Sequence, residues 1–203
     1  MSDIEAVLSG TRLSVDEYLD DFKDNFWHDN NGVNWKLERR QEFVESSNES
    51  WEASRCNDWR RSLDLLEEGR ANGAAYERRI SDMGMEVRRV RVVEKPITPY
   101  LLWELTSLHV RHQVGGKIRV VERDQVRALE TGGTVLPELF LLGRTIAYQV
   151  LYDDEGVLSG AVKCTVPDEV GHWGDIAASL YDQGEELGSF FDREVARQLP
   201  LAG

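Results

Sequence analysis

Two kinds of hydrophobic spacing alternate along the chain. In residues 85–93 and 117–121, apolar and polar side chains alternate with period two, which is typical of β-strands. Between them, residues 100–114 repeat apolar side chains every three or four positions, as a helix does. Thr98 is suited to cap this helix and Pro99 to its first position. A strand, a helix and a strand within about thirty-five residues predict two parallel neighbouring strands.

The C-terminal half carries a second β pattern. Three short runs, residues 139–142, 145–152 and 157–165, are separated by turn signals and predict an antiparallel meander. Residues 35–38 alternate like a further strand. We therefore expect an α/β fold of mixed (α+β) type, with a mixed sheet of about five or six strands, packed helices and a helical N-terminal part.

Two other segments have helical spacing. The first extends from about residue 49 to Met83, with an interruption at Gly73, and Gly84 is placed to cap its C-terminal end. The second covers residues 168–195 and keeps an apolar face despite four glycines. Both are predicted to pack on the sheet.

The N-terminal residues predict a short acidic helix. Ser14 is the expected N-cap and Glu17 stands at the capping-box position. An apolar stripe follows at spacing four: Tyr18, Phe22 and Phe26. This stripe could pack on the main body or on a partner helix. We divide the chain into an acidic helical N-terminal extension, residues 1–30, and a single α/β domain, residues 31–203.

The charge distribution is uneven. The net charge is −13, but residues 78–127 hold eleven Lys or Arg against six Asp or Glu, a net charge of +5. Bulk acidity argues against direct binding to nucleic acid, because phosphate contacts dominate that affinity. The basic segment predicts either a local anion site or ion pairs with the acidic flanks inside the fold.

The cellular compartment is predicted from the apolar segments and the cysteines. The sequence has no run of about eighteen apolar residues and no basic-then-apolar leader. Cys56 and Cys164 are far apart and lie outside any CxxC motif, so we expect free thiols in a reducing environment. These features predict a cytoplasmic protein without a membrane partner. They say nothing about its oligomeric state.

A row of arginines is the most promising candidate site. On one strand Arg89 and Arg91 point to the face opposite Val90, and if the register of the next strand aligns, a third guanidinium joins them. Such a cluster would bind a phosphate or carboxylate through paired N–H donors. The candidate anion site consists of Arg89, Arg91, Arg119, Tyr148 and Glu104, with Tyr152 beside Tyr148. The alternative is an internal ion network in which Glu94, Glu104 or Glu138 neutralises the arginines.

A second candidate surface is aromatic and basic. Trp35 stands close to Arg39 and Arg40 in the sequence, and the N-terminal helix adds two rings. The candidate partner surface consists of Trp35, Arg39, Arg40, Tyr18 and Phe22. The alternative is a solvated end of a strand or helix.

Motifs for known chemistry are missing. His109 and His112 have a spacing that suits a metal on a helix, but no third ligand is apparent. The sequence shows no Ser/His/Asp arrangement, phosphate-binding loop or dinucleotide fingerprint. We therefore predict no catalytic residues, no metal and no cofactor.

Four stretches resemble a known family. They are residues 35–43, 87–105, 136–139 and 150–153, and they resemble the actinobacterial domain of unknown function DUF6879 over residues 34 to about 199. The resemblance implies a regulatory or partner role, because members are often encoded near helix-turn-helix regulators. The run from the arginine strand to the turn at residue 156 is also similar to non-catalytic relatives of phospholipase-D-like domains.

Together these features predict a non-enzymatic regulatory or interaction protein. Its expected partner is a DNA-binding regulator of the helix-turn-helix class, or its expected ligand is a small anion. The alternative is an enzyme of unfamiliar chemistry that acts on a phosphorylated or carboxylated small molecule, with the same arginines, Glu94 or Glu104, and Tyr148 as its groups.

Overall fold

One mixed sheet organises the fold. The computed structural model describes residues 7–28, 32–45, 47–132 and 134–200. The strands are β1 (Thr11–Leu13), β2 (Gly32–Glu38), β3 (Met85–Val93), β4 (Lys117–Glu122), β5 (Leu139–Leu142), β6 (Ile146–Tyr152), β7 (Leu158–Cys164) and β8 (Glu185–Glu186). The helices are α1 (Val15–Trp27), α2 (Glu49–Arg55), α3 (Trp59–Glu68), α4 (Arg70–Asp82), α5 (Pro99–Gln113), α6 (Arg123–Val126), α7 (Pro167–Gln183) and α8 (Leu187–Phe190). A π-helical turn (Phe191–Val195) and a 3-10 turn (Ala196–Gln198) follow α8.

The strand order combines a parallel centre with antiparallel flanks. The order is β1-β7-β6-β5-β2-β3-β4-β8. β2, β3 and β4 are parallel, and the other pairings are antiparallel. The structure confirms the predicted parallel pair (β3 and β4) and the predicted meander (β5, β6 and β7).

The sheet is larger than the sequence predicted. It has eight strands in the described residues, so the prediction of about five or six was wrong. The two unpredicted strands are β1 and β8, which have three and two residues and lie at the two edges. Segments this short show no alternation that a sequence pattern could reveal.

Two long predicted helices are broken. The segment from residue 49 to residue 82 forms α2, α3 and α4. The first break falls at Asn57, whose φ of 62° is left-handed, and the Asp58 side chain then accepts the Arg61 N–H to cap α3. The C-terminal segment ends its first helix at Gln183. Gly184 follows it in an extended conformation and leads into β8.

Helices cover both faces of the sheet. Helix α7 packs on the face that carries Leu37 and Val90, which we call the α7 face. Helix α5 covers the opposite face over β3 and β4, where its Leu101 and Leu105 belong to one hydrophobic cluster with Ile118; we call this the α5 face. The two faces differ in chemistry, because the α5 face also buries charged residues.

The N-terminal helix packs on the main body. Strand β1 pairs with β7, and α1 lies against β7 and β6. The Phe22 ring is 4.7 Å from the Phe140 ring, and the Tyr18 ring is 5.5 Å from the Tyr148 ring. Tyr18 and Phe22 therefore pack in the core of this chain, where they cover the aromatic rings of β5 and β6. This differs from the prediction that they contact a partner. A single hydrophobic cluster spans the boundary that we drew at residue 30.

The contact between β1 and β7 predicts a sensitive glycine. A Cβ at Gly160 would lie 2.2 Å from the Leu13 carbonyl oxygen, and its φ of +133° disfavours other residues. We expect Gly160→Ala to lower the free energy of unfolding by about 3 kcal/mol or more, because β1 must move.

Urea unfolding of Gly143→Ala supplies the control. Gly143 also has a positive φ, but an added Cβ meets no atom within 4 Å. That variant should lose only about 1 kcal/mol. Equal losses in the two variants would show that β1 does not constrain β7 as described.

Candidate functional site

Charged side chains line the α5 face where the parallel strands end. Residues that pair directly in neighbouring strands project from the same face. Lys36 pairs with Arg89 and Glu38 with Arg91, so all four project from the α5 face. We call the following set the charged row: Lys36, Glu38, Arg89, Arg91, Glu104 of α5 and Glu138 before β5.

Arg91 is the buried centre of this row. Its side chain has no exposed surface, and its Nε and Nη2 lie 2.8 and 2.7 Å from Glu104 Oε2. Its Nη1 donates to the carbonyl oxygens of Val92 and Glu38, at 3.1 and 3.4 Å. Burial raises the pKa of Glu104, although the Arg91 charge acts in the opposite direction. The pair connects α5 to β3 and β2.

The Glu38 carboxylate forms ion pairs with two cations. Its carboxylate lies 2.6 Å from Lys36 Nζ and 3.0 Å from Arg89 Nη1. Although burial acts to raise it, the charges of Arg89, Lys36 and Arg91 lower the pKa of Glu38 to about 2. The Lys36 side chain is 30% exposed and that of Arg89 is 14% exposed, so the row reaches solvent at this point.

Glu138 holds the backbone that follows β2. Its Oε1 accepts the N–H groups of Arg39 and Arg40 at 2.7 and 2.5 Å. Burial raises the pKa of Glu138 to about 7 despite the nearby Arg91 charge. The carboxyl group therefore changes its charge in the neutral pH range, although its position is structural.

The predicted three-arginine cluster was wrong. Arg119 pairs with Val90, whereas Arg89 pairs with Ile118, so Arg119 projects from the α7 face. A register offset of one residue moves a side chain to the other face of a sheet. There, Arg119 Nη1 donates to the Tyr181 carbonyl oxygen at 2.9 Å, and the guanidinium lies 4.6 Å from the Tyr181 ring centroid.

Tyr148 is also separate from the arginines. It projects from the α5 face, because it pairs with Phe140, which in turn pairs with Lys36. Helix α1 covers it, and its hydroxyl donates to Asp21 Oδ2 at 2.6 Å. The structure thus brings Arg89, Arg91 and Glu104 together and leaves Tyr148 and Arg119 elsewhere.

The predicted partner surface does not form one patch. Trp35 is buried on the α7 face, 5.7 Å from the Tyr181 ring. Arg39 is buried and pairs with Glu94 at 2.6 Å and Glu130 at 2.5 Å. Adjacent residues of an extended chain point in opposite directions, which separates the Arg39 and Arg40 side chains. Only Arg40 of the three stays partly exposed.

An open groove lies between α3, α4 and α5. Its volume is about 730 Å³. Leu65 and Leu66 of α3 line it together with Val110 of α5 and Val114 just after that helix, and Asn72 of α4 adds a polar position. We call this feature the helix groove. The sequence did not reveal it, because it exists only where the predicted continuous helix is broken into separate helices.

The described residues carry neither a cluster of metal-ligating side chains nor a membrane-spanning helix. Within the part of the chain that the structure describes, no three His, Cys, Asp or Glu residues are grouped to hold a metal ion. His109 instead stacks on Phe191, with ring centroids 4.0 Å apart. In the same residues, no helix is long and apolar enough to cross a membrane.

The buried pair predicts a strong departure from additivity. Arg91→Leu should lower the free energy of unfolding by about 3–5 kcal/mol, because Glu104 and Glu38 lose a buried counter-charge. The double variant Arg91→Leu/Glu104→Leu should lose less than the sum of the two single changes. Urea unfolding of the three variants measures this difference. Additive losses would contradict a direct Arg91–Glu104 coupling, and the exposed pair Arg55–Glu52 serves as the additive control.

Glu138 predicts a specific pH dependence. Its pKa is higher in the folded chain than in the unfolded chain, so the native state holds the proton more tightly. The stability from this group is complete below about pH 4.5 and is lost as the pH rises through 7. We expect Glu138→Gln to remove that loss, up to about 3 kcal/mol. Denaturant unfolding from pH 5 to pH 8 checks this, with Glu155→Gln as an exposed control. A pH-independent difference between wild type and Glu138→Gln would contradict it.

Comparisons with known proteins give distant structural neighbours and one family. No curated protein matches the chain. A solved structure titled "Structure of TrmBL2, an archaeal chromatin protein, shows a novel mode of DNA binding" aligns with a TM-score of 0.47 and 8% identity, over 89% of this chain and 54% of that chain. This chain thus spans about half the length of that neighbour. The likeness to phospholipase-D-like domains stays a prediction. The profile described as "Domain of unknown function (DUF6879)" matches residues 20–192, and the chain therefore belongs to the DUF6879 family.

Proposed function

We propose that this protein is a non-enzymatic regulatory protein that acts by binding another protein. The proposed partner is a DNA-binding transcriptional regulator of the helix-turn-helix class, which the family resemblance suggested. The observation that carries the proposal is the helix groove, which has apolar side chains on two helices and a volume of about 730 Å³. Grooves of this kind accept the apolar face of a partner helix.

The net charge supports a protein partner over DNA. A chain of net charge −13 repels phosphate at long range, whereas it attracts a basic DNA-binding protein. A regulator that binds DNA needs such a basic surface. The proposed pair is therefore complementary in charge, and its association should be faster at low ionic strength.

The groups of the enzyme alternative already have partners. Glu94 pairs with Arg39, Glu104 with Arg91, and the Tyr148 hydroxyl with Asp21. These contacts support binding over catalysis. The raised pKa of Glu138 is the observation that favours the competing proposal, since shifted carboxyl groups concentrate in active sites.

We also propose a cytoplasmic location. Cys56 is exposed, Cys164 is buried, and neither forms a disulfide. Free thiols of this kind are typical of reducing compartments.

Blocking the groove tests the partner proposal. Asn72 lines the groove and is exposed, so Asn72→Trp should fill the space and abolish partner binding without removing a core contact. Ala71→Trp places the same bulk at the neighbouring exposed position, which lies outside the groove lining. It should leave binding unchanged.

The measurement is affinity capture of the tagged protein from its native cytosol, followed by mass spectrometry. Wild type and Ala71→Trp should retain a stoichiometric DNA-binding regulator, and Asn72→Trp should not. Retention by all three would exclude the helix groove as the binding surface. Wild-type capture that contains no DNA-binding protein would overturn the proposed function.

A further inference from the structure

Two neighbouring arginines have very different surroundings. Arg39 pairs with both Glu94 and Glu130. For Arg40, no carboxylate among the described residues lies within ion-pair distance, and its Nε is buried without a hydrogen-bond partner. A buried donor on a charged group destabilises the fold unless some acceptor satisfies it. The Nε of Arg40 is therefore a donor that an incoming acceptor could satisfy.

The Tyr152 ring lies beside the Arg40 cation. Its central carbon lies 5.4 Å from the Tyr152 ring centroid, and the Phe43 ring centroid is 4.8 Å from that of Tyr152. Gly156 lies beside the guanidinium, where an added Cβ would be 3.5 Å from Arg40 Nη2.

Tyr152 supplies a second free donor. Its hydroxyl makes no hydrogen bond to any residue that the structure describes. Burial and the negative charges of Glu138 and Glu38 raise the pKa of Tyr152, so the hydroxyl keeps its proton at neutral pH. A phenol in this state donates a hydrogen bond to an anion.

Cations and carboxylates both lie near this position. The cations on or beside the charged row are Lys36, Arg89, Arg91 and Arg40. Glu38 is shared by two of them and Glu104 pairs with Arg91. Glu138 accepts two backbone N–H groups instead of a cationic side chain. Glu138, Glu38 and Glu45 also act on the Tyr152 hydroxyl, so the attraction for an anion at this position comes from the Arg40 guanidinium at contact distance.

We infer that Arg40 is the centre of a binding site for a small organic anion, in which its guanidinium holds a carboxylate or phosphate group. The Tyr152 hydroxyl donates to the same group, and the Phe43 ring packs against an aromatic or apolar part of the ligand. Arg–oxyanion pairs of this type form two parallel N–H···O bonds. This site replaces the predicted cluster around Arg89, Arg91 and Arg119.

The site is distinct from the proposed protein-binding surface. Arg40, Tyr152 and Gly156 do not line the helix groove. The inference therefore stands on its own observations, and a failure to find a partner protein leaves it intact. If both are correct, the chain senses a small anion at one position and contacts its partner at another.

Calorimetric titration of the full chain tests the site with three probes: benzoate, phenyl phosphate and inorganic phosphate. We expect Arg40→Gln to weaken binding by about tenfold or more, the factor that corresponds to about 1.4 kcal/mol. Tyr152→Phe should weaken it by about threefold, because one donor to the anion is lost. Arg60→Gln removes an exposed arginine of α3 and should change nothing. The ratio of benzoate to phenyl phosphate affinity identifies which oxyanion the site prefers.

Thermal unfolding without probe separates a ligand site from a structural arginine. Arg40→Gln should unfold at the wild-type temperature or above it, because no ion pair is lost. A clear decrease would assign Arg40 to the fold and overturn the inference. Equal binding of the probes by wild type and Arg40→Gln, or no binding of any probe at millimolar concentration, would also overturn it.

Discussion

The buried contact between Arg91 and Glu104 is the constraint on which the rest of the structure depends. A guanidinium with no exposed surface must have its charge and its donors met inside the protein, since burial of an unpaired ion is very unfavourable. Glu104 meets the charge from α5, and the carbonyl oxygens of Glu38 in β2 and Val92 in β3 accept from Nη1 of Arg91. Charge-assisted hydrogen bonds have defined directions, which makes them more specific in position than an apolar contact. The Arg91–Glu104 contact fixes one position of α5 over the two central strands.

Most of the central fold was predictable because it follows local patterns. The alternation in β3 and β4 and the capping residues of α1 and α5 each act within a few residues, and all were found where expected. The edge strands were not predictable, because β1 and β8 exist only through their partners in the sheet. The same holds for the break at Asn57, since a left-handed residue inside an otherwise helical pattern leaves only a weak signal.

The candidate site was partly predictable for a related reason. Period-two alternation placed Arg89 and Arg91 on one face, and Glu104 was among the expected partners. The register between β3 and β4 is a long-range property, so the position of Arg119 could not be read from either strand alone. The distinction between Arg39 and Arg40 depends on residues that are about 55 to 115 positions away in the chain, such as Glu94 and Tyr152. For that reason the sequence predicts the same role for both arginines.

The two short edge strands have a consequence for behaviour in solution. An open strand edge offers unpaired N–H and C=O groups to any other chain, and it favours intermolecular pairing. β1 covers the outer edge of β7 for only three residues, and β8 covers β4 for only two. Each therefore ends the sheet with a strand too short to recruit another copy. A chain without β1 would expose the longer edge of β7. Such molecules would remain folded, but they would associate with one another as their concentration rises.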